Sequence, residues 1–280
     1  MARLSENRYG KSRVRLSRIT RNGERHEFNE WTVRVLLEGN FDASFTSADN
    51  SKVLPTDTMK NTVYSLARAS RAATIEEFAM ELGDYLLANN EHVSSVSVEI
   101  DEKPWERLIV DGVPDASTFQ LRGPEAQTVR AVRARGAAWQ IASGIDGLTI
   151  LKTTKSAFTG YIKDRLTTLK PATDRIFGTR ATVAWDYALP APGFASVRAR
   201  ILAALLKEFA GHMSMSVQHT LFDMGKAALA AAPEIARIHL TMPNLHHLLA
   251  DLSPFGQDNP NHIFVPIDEP HGYIEATIER

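Results

Sequence analysis

Early in the chain apolar and polar positions alternate. Val14 and Leu16, with Ile19 less regularly, oppose Arg13, Arg15 and Ser17, and after Arg21-Asn-Gly-Glu24 a second run, Glu27 to Glu38, holds Trp31, Val33, Val35 and Leu37 on one parity. A period of two predicts a long hairpin with one wet face. A loop from Phe41 to Pro55 comes next, and then the period changes. Pro55 holds Leu54 extended, Thr56, Asp57 and Thr58 favour cap or turn positions, and Met59, Val63 and Leu66 come next at helical spacing. A helix starts there. Its free N–H groups beside a threonine hydroxyl suit an electron-rich or anionic ligand, while the plainer reading makes Asp57 or Thr58 a helix cap. Thr74-Ile-Glu-Glu77 opens a second helix with a capping box, and Phe78, Leu82 and Leu86 line one face of it. Val93 to Ile100 alternates again, Trp105 to Val110 is expected to pair with it, and Ser117 to Leu121 adds an extended piece.

The order then starts over. Thr128 to Arg135 and Trp139 to Lys152 predict a hairpin, with Gly144 and Gly147 marking a bulge or turn inside it. A loop and short helix run to Phe177. A strand, Ala181 to Ala188, leads to a Pro192-Gly193 break and a helix carrying Val197, Ile201, Leu205 and Phe209, and another helix runs from about Ser216 to Pro233. Strands Ile235 to Met242, His247 to Leu252 and Tyr273 to Ile278 close the chain, with a loop from Ser253 to Asn261. The repeated order predicts an α+β protein of two related halves, 1–130 and 131–280, each an antiparallel sheet with helices on one face.

Composition narrows the chemistry. At 280 residues and 44% apolar content the chain can bury a sizeable core, and a formal net charge of -1 gives no basic field for nucleic acid. It has no cysteine, which excludes disulfides, thiolate zinc sites, iron–sulfur clusters and cysteine nucleophiles. No apolar run reaches the length of a membrane span and no signal-peptide core opens the chain, so a soluble cytoplasmic protein is expected. Glycine-rich nucleotide loops, a Gly-x-Ser-x-Gly elbow and a His-Glu-x-x-His pair are missing. His246 and His247 are adjacent, but neighbours on a strand face opposite ways, so they chelate poorly as a pair. Four polar features remain: Thr56-Asp57; Lys11 in Tyr9-Gly-Lys11; Phe158 with Arg175, a stacking ring and a planar two-pronged donor; and Val217-Gln218 at a helix start together with Met242-Pro-Asn-Leu-His246 between two strands. Each of them taken alone has a structural reading.

Together they resemble a known family. Tyr9-Gly-Lys11, Thr56-Asp57-Thr58 with Lys60-Asn61-Thr62, Gly147-Leu-Thr-Ile-Leu-Lys152, Thr167-Thr-Leu169, Thr173-Asp-Arg175, Pro243-Asn-Leu-His-His247 and Gly272-Tyr-Ile-Glu-Ala-Thr-Ile278 are similar, in order and over nearly the whole chain, to the urate oxidases. The resemblance implies two tandem T-fold (tunnelling-fold) units, a homotetramer with a sheet-lined tunnel, and active sites shared between subunits. It implies oxidation of urate by O2 to 5-hydroxyisourate and hydrogen peroxide, with neither metal nor organic cofactor. By matching positions, Phe158 would stack on the purine, and Arg175 and Gln218 would clamp its pyrimidine edge with help from the Val217 N–H. The main chain at Thr56 and Asp57, from a neighbouring subunit, would meet the five-membered ring. Lys11, Thr56 and His246 would form a proton relay, and Thr56 and Asn244 would hold oxygen or water above the ring.

Three departures qualify the resemblance. Leu245 stands where the family commonly has lysine, which would remove a positive charge beside His246; Pro55 replaces the usual alanine; and Pro171-Ala172 falls in a helical turn that usually reads Glu-Thr. These departures leave room for two other readings. One is a catalytically weakened purine-binding oligomer on the same fold. The other is a different T-fold purine or pterin enzyme, disfavoured because its zinc-dependent members need cysteine or clustered histidine ligands.

Overall fold

The computed structural model describes residues 2–188 and 193–280. They fall into two compact units, Met1–Asp146 with Asp186–Ala195, and Gly147–Trp185 with Ser196–Arg280. The expected division near residue 130 follows the order of elements, and compactness cuts the chain later. The reason is that the hairpin opening the second run of elements is paired, through Ala126–Ala134, to the strand Val93–Glu102 of the first run.

In the first unit, β1 (Tyr9–Asn22) and β2 (Arg25–Gly39) form the predicted hairpin. The expected parity holds: Trp31, Val33, Val35 and Leu37 are buried. A short helix α1 (Asp42–Thr46) interrupts what the sequence presents as loop, and it buries no residue, which is why no apolar period announced it. Helices α2 (Thr56–Ala69) and α3 (Ile75–Asn89) come next, and the Thr74/Glu77 capping box is formed. Strand β3 (Val93–Glu102) pairs with β2 on one side and with β6 (Ala126–Ala134) on the other, antiparallel throughout. Strands β4 (Trp105–Val110) and β5 (Val113–Leu121) pair only with each other, not with β3 as expected. Both flanks of β3 are already taken, and the β4–β5 ribbon is held instead by Phe28 against Trp105 and Phe119. Strand β7 (Gln140–Lys152) completes the predicted hairpin with β6. Gly144 sits in register opposite Thr128, whereas Gly147 takes φ 81°, so the irregularity belongs to Gly147 alone. Buried residues of α2 and α3 join those of the sheet in one core, from Met59 and Val63 to Phe78, Leu82 and Val98.

The second unit repeats the plan. Strand β8 (Phe177–Tyr187) buries alternate residues, among them Phe177, Ala181 and Val183, and exposes Arg180 and Thr182. Helices α4 (Phe194–Gly211) and α5 (Val217–Ala231) cover the buried side, with Phe209 against Phe177 and Gly225 close to Leu240 and Ile278. The Pro192 half of the break expected before α4 lies outside the described residues. Strand β9 (Ile235–Thr241) pairs with β12 (Glu275–Glu279), and β10 (Asn244–Leu249) pairs with β8 and with β11 (Phe264–Gly272). Two expectations fail here. Residues 153–176 carry no helix but bends and isolated bridges, so Ala172 lies opposite Phe158 and not in a helical turn. Asn244, Leu245 and His246 are strand and not connector, and β11 was not foreseen because its two prolines and the adjacent Asp268 and Glu269 break the alternation.

A close approach of two strands fixes the backbone beside Lys11. A Cβ on Gly10 would lie 1.8 Å from the Val35 carbonyl oxygen, so only glycine lets β1 reach β2 at this point. Gly10→Ala is expected to cost about 1–3 kcal/mol and to lower the melting temperature by several degrees, read by calorimetry. An unchanged melting temperature would show that the strand can shift freely.

Candidate functional site

In the first unit, the Tyr9 hydroxyl donates to the Leu54 carbonyl oxygen at 3.2 Å and accepts from the Leu54 N–H at 2.8 Å. This clasp ties the chain just before α2 to the start of β1 and so brings Thr56 and Asp57 towards Lys11. The positive charge of Lys11 acts on Asp57. Just beyond Lys11 the β1–β2 register shifts, and Arg13 takes φ 59°, so a bulge ends the regular ladder beside the lysine.

Helix α2 has Pro55 as its N-cap residue and no side-chain cap, so the cap reading of Asp57 or Thr58 does not hold. Pro55 is tolerated because a residue at the cap has no helical N–H bond to lose. Its first helical bond runs from the Met59 N–H to the Pro55 carbonyl oxygen at 3.1 Å. The N–H groups of Thr56, Asp57 and Thr58 thus stay outside the ladder, where the helix dipole favours an electron-rich partner. Asp57 turns to Lys60 and, at 3.1 Å, to Asn61. The lysine hydrogen bond is the main cause that holds its carboxyl below the usual range.

The second unit gathers the other group. Phe158 and Ala172 exchange backbone hydrogen bonds of 2.8 and 3.1 Å. The Ala157 N–H donates to the Ser214 carbonyl oxygen at 2.7 Å, and the Ser214 N–H to that of Lys155 at 2.9 Å. Asp174 accepts from the Thr154 hydroxyl and, at 3.3 Å, from the Ser156 N–H. These clasps hold three segments together, namely 155–158, 172–175 and the start of α5. The segments that carry Phe158 and Arg175 are thereby tied to the residues just before Val217 and Gln218. The Arg175 guanidinium lies 5.2 Å from the Phe158 ring centroid, and Tyr161 stacks on Phe158 at 4.9 Å with 11° between the planes.

Arg175 is half-buried, its Nε has no hydrogen-bond partner, and burial lowers its pKa. A buried guanidinium nitrogen left unpaired is costly, and a ligand acceptor would satisfy it. At α5 the Ser216 side chain accepts from the His219 N–H, and the first helical bond is Thr220 N–H to the Ser216 carbonyl oxygen. The N–H groups of Val217 and Gln218 remain available, and the Gln218 side chain is exposed.

Asn244 and His246 lie on β10. Burial first, then the charges of Arg175 and His271, lowers the His246 pKa below the ordinary imidazole value. His246 is therefore a neutral imidazole at neutral pH. Leu245 is on the other face: its Cβ stands 3.6 Å from where a Gly178 Cβ would be, and that same point is 3.3 Å from a Leu151 methyl. Strand alternation thus separates Leu245 from its two neighbours, against the expectation that it strips charge from beside His246. Leu245→Lys is expected to move the acid limb of the pH–activity profile by less than about half a unit, since a solvated charge across the sheet couples weakly. A shift of a full unit would return Leu245 to the site.

Two supporting roles were not read from the sequence. Tyr9 and Asp174 both sit in the family-like motifs, yet nothing local says that one clasps Leu54 and the other holds residues 154–156. Tyr161 carried no signal at all. A cavity of about 490 Å³ in this unit is lined by Arg175, Asp174, Thr153, His247, His262 and Phe264, among others. No helix among the described residues is long and apolar enough to cross a membrane.

The profile of the family described as Uricase matches residues 7–132 and 141–275. The chain is 41% identical to the uricase of Arthrobacter globiformis over 277 residues, covering 99% of this chain and 90% of that protein. It is 38% identical to the uricase of Dictyostelium discoideum, covering 100% and 98%. The crystal structure of the Arthrobacter globiformis uricase superposes with a TM-score of 0.94 at 40% identity, covering 100% of this chain and 96% of that one.

Proposed function

The chain belongs to the uricase family, and from that premise we propose that it oxidises urate with O2 and water to 5-hydroxyisourate and hydrogen peroxide. Its two T-fold units each supply one group of site residues. In our reading, the Lys11, Thr56 and Asp57 group of one protomer completes the Phe158, Arg175, Val217, Gln218, Asn244 and His246 group of its partner, in a homotetramer.

Phe158 stacks on the flat purine. Arg175 and Gln218 clamp the pyrimidine edge, offering donors and an acceptor in one plane, and the Val217 N–H adds a further donor. The open N–H groups at the start of α2 meet the five-membered ring. A proton leaves by way of the Thr56 hydroxyl, with Lys11 stabilising the charge that develops and the neutral His246 imidazole accepting it. Thr56 and Asn244 hold oxygen or water above the ring. Since the electron-rich urate anion itself reacts with O2, the protein has only to deprotonate, orient and shield it, with no metal or organic cofactor.

The observation that carries this reading is the half-buried Arg175 guanidinium over Phe158, with Nε unpaired. The weakened-binder alternative loses its support, because Leu245 faces away from the site and Pro55 is accommodated at a cap. The test is oxygen uptake together with loss of urate's ultraviolet absorbance, run with and without a strong chelator. Turnover that survives chelation and yields peroxide is expected. Urate binding without oxygen consumption would instead identify a purine-binding oligomer.

A further inference from the structure

Apart from His246 and His247 the nine histidines are scattered in sequence, yet the fold brings two of the scattered ones to one carboxylate. His212 follows the last residue of α4, and His219 and Asp223 stand four apart on α5, so both α5 side chains share a face. His212 Nδ1 is 3.4 Å from Asp223 Oδ2, and His219 Nε2 is 3.3 Å from the same oxygen. The three ligand atoms all lie within 4.8 Å of one another.

The spacing is informative. N–H···O hydrogen bonds cluster near 2.9 Å, and both contacts are longer than that. Two ligands at zinc-like bond lengths of about 2.0–2.1 Å on adjacent corners of a tetrahedron stand about 3.3 Å apart. Glu208 Oε1, 3.6 Å from His212 Nδ1, is in reach as a fourth donor. The His212 side chain is only 9% exposed, so this ring is aimed at Asp223 from within the protein and is no solvated surface group. Its Nε2 has no partner of its own. Lys226 takes the other carboxylate oxygen, Oδ1, at 2.7 Å, and leaves Oδ2 to the two imidazoles. Lys152 holds the backbone beneath, donating to the carbonyl oxygens of Phe209 and His212.

We propose that His212, His219 and Asp223 form a binding site for a divalent transition ion of the zinc class, with Glu208 or water in the fourth position. Two imidazoles and one carboxylate suit Zn2+, Ni2+ or Cu2+ and disfavour Mg2+ and Ca2+. Its ligands are not among the residues proposed to bind urate, although His219 follows Gln218 directly on α5. It ties the end of α4 to the first turns of α5 across the connection that holds Ser214 and Ser216, and so it acts as a staple.

The test uses the full chain, dialysed against chelator and titrated with Zn2+ by calorimetry, with Mg2+ as a control. Saturable binding of one Zn2+ per chain is expected, at least about tenfold weaker in His219→Ala and in Asp223→Asn. Zn2+ is also expected to raise the melting temperature of the parent and not of Asp223→Asn, because an ion bound only to the folded state stabilises it. His219 is exposed, so its replacement leaves the fold intact and keeps the comparison meaningful. No saturable Zn2+ binding, or equal affinity in the parent and both variants, would overturn the proposal. Neither result bears on urate turnover in chelator.

Discussion

Lys11→Met and Thr56→Ala are each expected to slow urate turnover by about 10²- to 10⁴-fold, the range for losing a positioned proton-transfer group, with urate binding largely kept. The asymmetry comes from where the two residues sit. Lys11 stands at the last regular position of β1 before the bulge, close enough for its charge to reach Asp57. Thr56 is the first residue of α2, held there by the Tyr9 clasp on Leu54. Neither belongs to the Phe158, Arg175 and Gln218 group proposed to clamp the purine. Stopped-flow turnover alongside equilibrium binding of a non-reactive purine analogue separates the two effects. Full activity in both variants would remove the relay, and a parallel loss of binding would make these residues part of the clamp.

Arg175→Gln is expected to reverse that pattern. It loses a planar, charged, two-pronged donor, worth about 3–4 kcal/mol for a charge-assisted pair of bonds, so kcat/KM falls by about 10²- to 10³-fold, with binding of the purine analogue weakened. Lysine would not rescue it, because an ammonium lacks the fork. A second readout distinguishes a ligand-binding arginine from a structural one. The guanidinium is half-buried with Nε unpaired, so neutralising it relieves an uncompensated cost, and the melting temperature should hold or rise. A third is the pH profile. The Arg175 charge helps keep His246 neutral, so the His246 pKa rises towards the ordinary imidazole value in the variant. Because the proposed relay uses the neutral imidazole, the acid limb of the profile is expected to move to higher pH. A fall in melting temperature with KM unchanged would assign Arg175 to the scaffold.

What the sequence determined by itself was whatever a few consecutive residues can encode. The parity of Trp31, Val33, Val35 and Leu37 fixed a strand face, since side chains on a strand alternate wherever the strand lies. Thr74 with Glu77 fixed a helix start, because a capping box closes within four residues. The resemblance, carried by short motifs in order, named the residues proposed for both site groups. It could not give their supports. Tertiary structure alone decided that β4 and β5 form their own ribbon, because pairing depends on which edges remain free after β2 and β6 have taken β3. It decided that residues 153–176 form clasps and no helix, since their backbone groups find partners on Ser214 and across the bridge between Phe158 and Ala172. Leu245 illustrates the difference well. In sequence it lies between Asn244 and His246 and looks like part of the site. On the strand it faces Gly178, because one residue along a pleated backbone is a change of side.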